Sequence, residues 1–133
     1  MLDDFELIHS YSRADAIRDG VLVDLMQGEL GQLVKEAGFR WPVAMTAEAF
    51  QQYVQLTPSA ELAGQDIKGR LWDILVCLRL AIRKADSEVQ EVLFTFYCSV
   101  ENVAPRRSQL KSVIGLDDDG QAPVLTLMLP HED

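Results

Sequence analysis

The apolar side chains of this chain follow two periods. Up to about residue 85 they recur at three-and-four spacing, and from residue 92 onward at every second position, so helices are expected first and strands last. The clearest helical run is 66–85, where Ile67, Leu71, Ile74, Leu75, Leu78 and Ile82 form the stripe of one long amphipathic helix. Trp72, Val76 and Leu80 widen its apolar arc, which predicts contact on two sides: a sheet on one, and further helices or a second subunit on the other.

Shorter elements are set by their punctuation. Ser12 stands at an N-cap with Asp15 three residues on, and Gly20 is placed to stop the chain in a left-handed turn, predicting a helix over 13–19. "VLVDL" then reads as a strand, and a second helix over 29–37 ends at Gly38. "FRWPVAM" is extended, because Pro42 keeps the residue before it out of the helical region and cannot itself donate to a ladder, so it is expected as an edge strand at best. Thr46 caps "AEAFQQYVQL", with Phe50, Tyr53 and Val54 on one face, and Thr57-Pro58 marks a break with room for another helical turn.

In the last third, "VLFTFYCSV" puts Val92, Phe94, Phe96, Cys98 and Val100 on one face. "QLKSVIG" and "PVLTLML" follow, joined by "LDDDGQ", whose Asp-Gly step signals a solvated turn. The fold class is therefore α+β: several short helices, plus one long amphipathic helix packed on a C-terminal three-stranded antiparallel meander, in a single domain over 1–133. The broad arc of the long helix and a meander edge near 121–129 predict a homodimer.

Composition narrows the class. Hydrophobic residues make up 48% of the 133 positions and charged residues 25%, enough for a core and unlike a disordered chain. "MLDDFELIHSYS" carries acids where an export signal carries bases, and the longest apolar run, Ile74 to Leu78, is too short for a bilayer. A soluble cytoplasmic protein without membrane attachment is expected. Cys77 and Cys98 sit inside apolar patterns, as buried thiols do in a reducing compartment.

Twenty-one acids against twelve bases give a net charge of −9, which repels phosphate backbones and argues against direct nucleic-acid binding. The acids Asp117, Asp118, Asp119, Glu132 and Asp133 crowd the end of the chain, whereas Lys68, Arg70, Arg79, Arg83 and Lys84 lie along the long helix. His9 and His131 have no second ligand at metal spacing, "DDDG" lacks the spaced carboxylates of a calcium loop, and phosphate-loop, dinucleotide and serine-hydrolase motifs are absent. No cofactor is expected, and the balance favours a non-enzymatic protein.

Two resemblances add to this. The stretch from His9 through Tyr11-Ser12 to the Gly-Val-Leu step resembles the first block of ADP-ribosyltransferase-like folds, which implies His9 and Tyr11 as NAD contacts, with Tyr97 and Glu101 as the later aromatic and acid. "YSRADAIRDGVLVDL", "EAGFRWPVAMT" and "LKSVIGLDDDGQAPVLTLMLPHED" together resemble a family of small uncharacterised bacterial proteins found on plasmids, phages and other mobile elements. That likeness implies a shared fold and a setting, without a mechanism.

For a recognition surface, Phe39 and Trp41 flank Arg40 on a proline-stiffened segment, and Arg106-Arg107 form a basic step expected in the loop between the first two meander strands. The leading expectation is a small acidic accessory protein that binds a protein partner. Within that class, the carboxylates of a mobile-element protein can act as a decoy for DNA-binding proteins. The alternatives are an NAD- or ADP-ribose-type nucleotide-binding protein and a toxin or antitoxin partner.

Overall fold

The computed structural model describes residues 11–55, 66–86, 88–98 and 106–133. Among them run α1 (Arg13–Arg18), β1 (Leu22–Asp24), α2 (Gly28–Glu36), β2 (Val43–Thr46), α3 (Ala47–Tyr53), α4 (Ile67–Lys84), β3 (Glu91–Cys98), β4 (Arg106–Leu116) and β5 (Pro123–Met128). The strands form one mixed sheet in the order β1-β2-β5-β4-β3.

Local chemistry accounts for the helix ends. Ser12 Oγ accepts from the Asp15 amide at 2.9 Å and the Asp15 carboxylate accepts from the Ser12 amide at 3.3 Å, a closed capping box. At the other end of α1 the Gly20 amide donates to Ile17 O and the Val21 amide to Ala16 O, the paired bonds that a left-handed residue makes available. The same pair closes α2, from Gly38 to Lys35 O and from Phe39 to Val34 O, with Gly38 at φ 98°. Thr46 Oγ1 accepts from the Ala49 amide at 3.3 Å and starts α3 directly from the end of β2.

The predicted meander is present: β3 pairs antiparallel with β4 and β4 with β5. It is only part of the sheet, however, because β2 runs parallel to β5 and β1 antiparallel to β2. The three-stranded expectation is thus corrected to five strands. "FRWPVAM" is corrected too: β2 is an interior strand, its four residues all buried, and Pro42 stands just before it with a carbonyl that accepts from Leu125. The pyrrolidine therefore takes no rung from the ladder. With β2 on one side and β4 on the other, residues 123–128 are no edge, so the predicted pairing there is withdrawn; among the described residues the edges are β1 and β3.

One face of the sheet carries the main core. Phe94, Phe96 and Cys98 of β3 alternate inward as the pattern predicted, and with Leu110, Leu125, Leu127, Val43 and Met45 they meet Leu71, Ile74, Leu75 and Leu78 of α4. Val34 of α2, Ala49 of α3 and the adjoining Val54 complete the cluster. On the opposite face α1 packs against β1, and Arg13 reaches across to donate to Thr126 Oγ1 at 3.2 Å. Ile82 departs from its expected place, since α4 outruns the cluster at its C-terminal end and leaves this residue 38% exposed. Trp72 and Leu80, the expected second contact of α4, are 36% and 51% exposed. No helix among the described residues is long and apolar enough to cross a membrane.

Candidate interaction groove

Where α4 outruns the core it leaves a groove of about 500 Å³. Its floor is Val92 of β3, Ser112 and Ile114 of β4 and Leu125 of β5; one wall is Ile82 with Ala85 and Val89, and the other is the segment Gly38–Trp41. Position along the chain explains that second wall. The left-handed turn at Gly38 reverses the backbone after α2, so Phe39, Arg40 and Trp41 emerge over the sheet before Pro42 turns the chain into β2. Phe39 packs on the core, and Trp41 remains 41% exposed.

Three arginines stand around this apolar floor: Arg40, Arg79 and Arg83, with Asp86 as the single acid. The Arg79 guanidinium donates to Ala37 O at 3.2 Å, placing a cation at the C-terminal end of α2 and tying α4 to the Gly38 turn. A Cβ at residue 38 would lie 3.0 Å from the Arg79 guanidinium carbon, so glycine there serves both the turn and this contact. Arg40 and Arg83 have no ion-pair partner among the described residues. Ser112, 2% exposed, contributes a hydroxyl to the floor. The result is an apolar trough rimmed by cations, on a chain whose net charge is −9.

Phe39, Arg40 and Trp41 therefore share one surface, with Arg79 and Arg83 of α4 as additions that the sequence pattern had assigned only to the flank of an apolar stripe. Arg106 and Arg107 are elsewhere. They belong to β4 rather than to a loop, opposite Cys98 and Tyr97, whereas the groove reaches β3 and β4 at Val92 and Ser112. Six strand positions separate the two ends, about 20 Å at 3.3 Å per residue.

The nucleotide-type residues do not gather among the described positions. Tyr11 is exposed and its hydroxyl donates to Asp19 Oδ2 at 2.7 Å, which holds the phenol above its usual pKa. Tyr97 lines a different, smaller cavity of about 330 Å³ with Tyr53, Trp72, Arg70 and Asp73. His9 and Glu101 lie outside the described residues, as does Thr57-Pro58. The acidic turn is occupied with structure: the Asp118 carboxylate accepts from the Arg13 and Ala14 amides, and Asp119 Oδ1 from Gln121 and Ala122. No three His, Cys, Asp or Glu side chains among the described residues are placed to hold a metal. Cys77 and Cys98 are not joined in a disulfide, and burial pushes both thiols up.

A search of the curated proteins and of the solved structures returns no match. A family model does match, over residues 1–133, and by it the chain belongs to a family of unknown function, DUF6573.

Proposed function

We propose that this protein is a small non-enzymatic interaction protein that receives an acidic, amphipathic segment of a protein partner in the groove between Phe39–Trp41 and the end of α4. The observation that carries this reading is the combination of an apolar floor with Arg40, Arg79 and Arg83 on a chain of net charge −9. Phe39 and Trp41 are rigid aromatic anchors of the kind that dominate binding energy, and arginine pairs with carboxylates through two parallel bonds. Overall negative charge slows encounter with acidic partners in general, so the local arginines select a segment whose apolar side chains also fit. The likeness of "YSRADAIRDGVLVDL" to small plasmid and phage proteins supports a mobile-element setting. With Asp118 and Asp119 engaged in turn and helix-cap bonds, the groove supports a partner better than the acidic turn supports a decoy.

The test is fluorescence anisotropy with two labelled peptides of equal apolar content, one alternating leucine with glutamate and the other leucine with lysine. The acidic peptide is expected to bind, and Arg83→Glu or Trp41→Ala to weaken it about 5- to 30-fold, or ~1–2 kcal/mol. Equal affinity for both peptides, or binding indifferent to both substitutions, would remove the proposal.

A further inference from the structure

The β3 edge of the sheet is open among the described residues. β3 is eight residues long, with Glu91 its only charge, and Glu91 is already paired with Lys111 at 3.4 Å. Natural sheets protect such edges with lysine, proline, bulges or shortness. Here Leu93 and Tyr97 stand 56% and 63% exposed.

The ladder shows which backbone groups are open. The Ile114 amide donates to Gln90 O at 2.9 Å, and residues 90 and 114 extend the register in which Glu91 faces Val113. Alternation then turns the amides and carbonyls of Val92, Phe94, Phe96 and Cys98 toward β4. Those of Glu91, Leu93, Thr95 and Tyr97 point out from the edge, where no described residue meets them.

We infer that β3 pairs antiparallel with β3 of a second copy of this chain, with Thr95 facing Thr95 on the two-fold axis. In this register Leu93 meets the second copy's Tyr97, and Phe94 its Phe96, so every contact is repeated by symmetry. The outward-pointing groups of Leu93, Thr95 and Tyr97 become the rungs, and two five-stranded sheets join into one of ten. Charge favours this occupant. For two copies each carrying −9, an edge whose one carboxylate is already paired with Lys111 adds little like-charge repulsion, and no acid in β3 faces another in this register.

Light scattering and sedimentation over about a hundredfold range of concentration test this by mass action. The expected species at the upper end is a dimer, twice 14.9 kDa. Thr95→Pro takes an amide from the new ladder but none from the β3–β4 ladder, and is expected to weaken the dimer about tenfold or more. Thr95→Cys is expected to form an intermolecular disulfide, since facing residues of a bonded pair sit at ~5.5 Å between Cα atoms. Leu93→Cys, offset from its own copy by four positions, is not. A monomer throughout, a folded Thr95→Pro variant with undiminished dimerisation, or crosslinking by Leu93→Cys in place of Thr95→Cys would overturn the inference. If Thr95→Pro does not fold, the two cysteine variants decide.

Discussion

The Asp118 carboxylate, at the tip of the β4–β5 turn, accepts the Arg13 amide of α1 at 2.7 Å through Oδ1 and the Ala14 amide at 3.1 Å through Oδ2. Ser12 takes the next amide, that of Asp15, so the first three orphan donors of α1 all have acceptors. The opening segment and the acidic turn, the two most distinctive stretches of the chain, are one structural unit. Asp118→Ala is expected to lower stability by ~1 kcal/mol in urea denaturation, and Asp118→Asn, which retains one acceptor oxygen, by less.

Asp15 and Asp119 give this end of the molecule an acid dependence. Hydrogen bonds from Ser12 hold the Asp15 carboxyl below its usual range, and the Ala122 and Gln121 amides do the same for Asp119. A depressed folded pKa means that the stabilisation is present above the unfolded value, about 3.9, and is lost as pH falls through the folded one. The urea midpoint is expected to be insensitive to these groups near neutrality and to drop below about pH 4, less so in an Asp15→Asn, Asp119→Asn variant.

Glu132 anchors the chain's end. One oxygen, Oε1, accepts from Thr46 Oγ1 at 2.6 Å and from the Leu129 amide at 2.8 Å. Thr46 is buried and is itself the cap of α3, so Glu132→Ala leaves its hydroxyl short of an acceptor. A loss of ~1–3 kcal/mol is expected by thermal or chemical denaturation, and removal of residues 130–133 is expected to cost at least as much.

Leu78 and Leu80 are two positions apart on α4 with opposite environments, the first fully buried and the second half exposed. Leu78→Ala is expected to cost ~2–5 kcal/mol and Leu80→Ala under about 0.5. A large loss for Leu80→Ala that grows with protein concentration would place a second subunit on the outer face of α4 instead of on β3.

Burial raises both thiols, against the opposing charge of Arg70 at Cys98; Cys98 is 6% exposed, while Cys77 is half-buried. In the native state, labelling by a thiol reagent at mildly alkaline pH is expected to be slow, with Cys77 ahead of Cys98. Because the folded values are raised, ionisation favours the unfolded chain once pH exceeds the unfolded thiol pKa of about 8.5, and stability falls above it.

The helix boundaries were readable in the chain because their causes are local. Ser12, Gly20, Gly38 and Thr46 act on amides and carbonyls within a few residues, and each does in the structure what its type implies. The alternation of β3 was readable for the same reason. Half of the groove was legible too, in the aromatics around Arg40. Arg79 and Arg83 were not, since a basic residue beside an apolar stripe reads the same whether it borders solvent or a trough.

Element type, helix caps and the inward face of the last strands thus follow from the amino-acid order alone, through propensity and side-chain period. Tertiary structure alone decided that β2 lies inside the sheet, that Asp118 caps α1, and that Phe39–Trp41 face Arg83 while Arg106 and Arg107 do not. The reason is physical: "VAM" is buried only because β5, far along the chain, arrives parallel beside it, pairing Val43 with Leu125 and Met45 with Leu127. Strand neighbours are chosen by the apolar surface that the whole chain can cover at once, and no short window of residues carries that information.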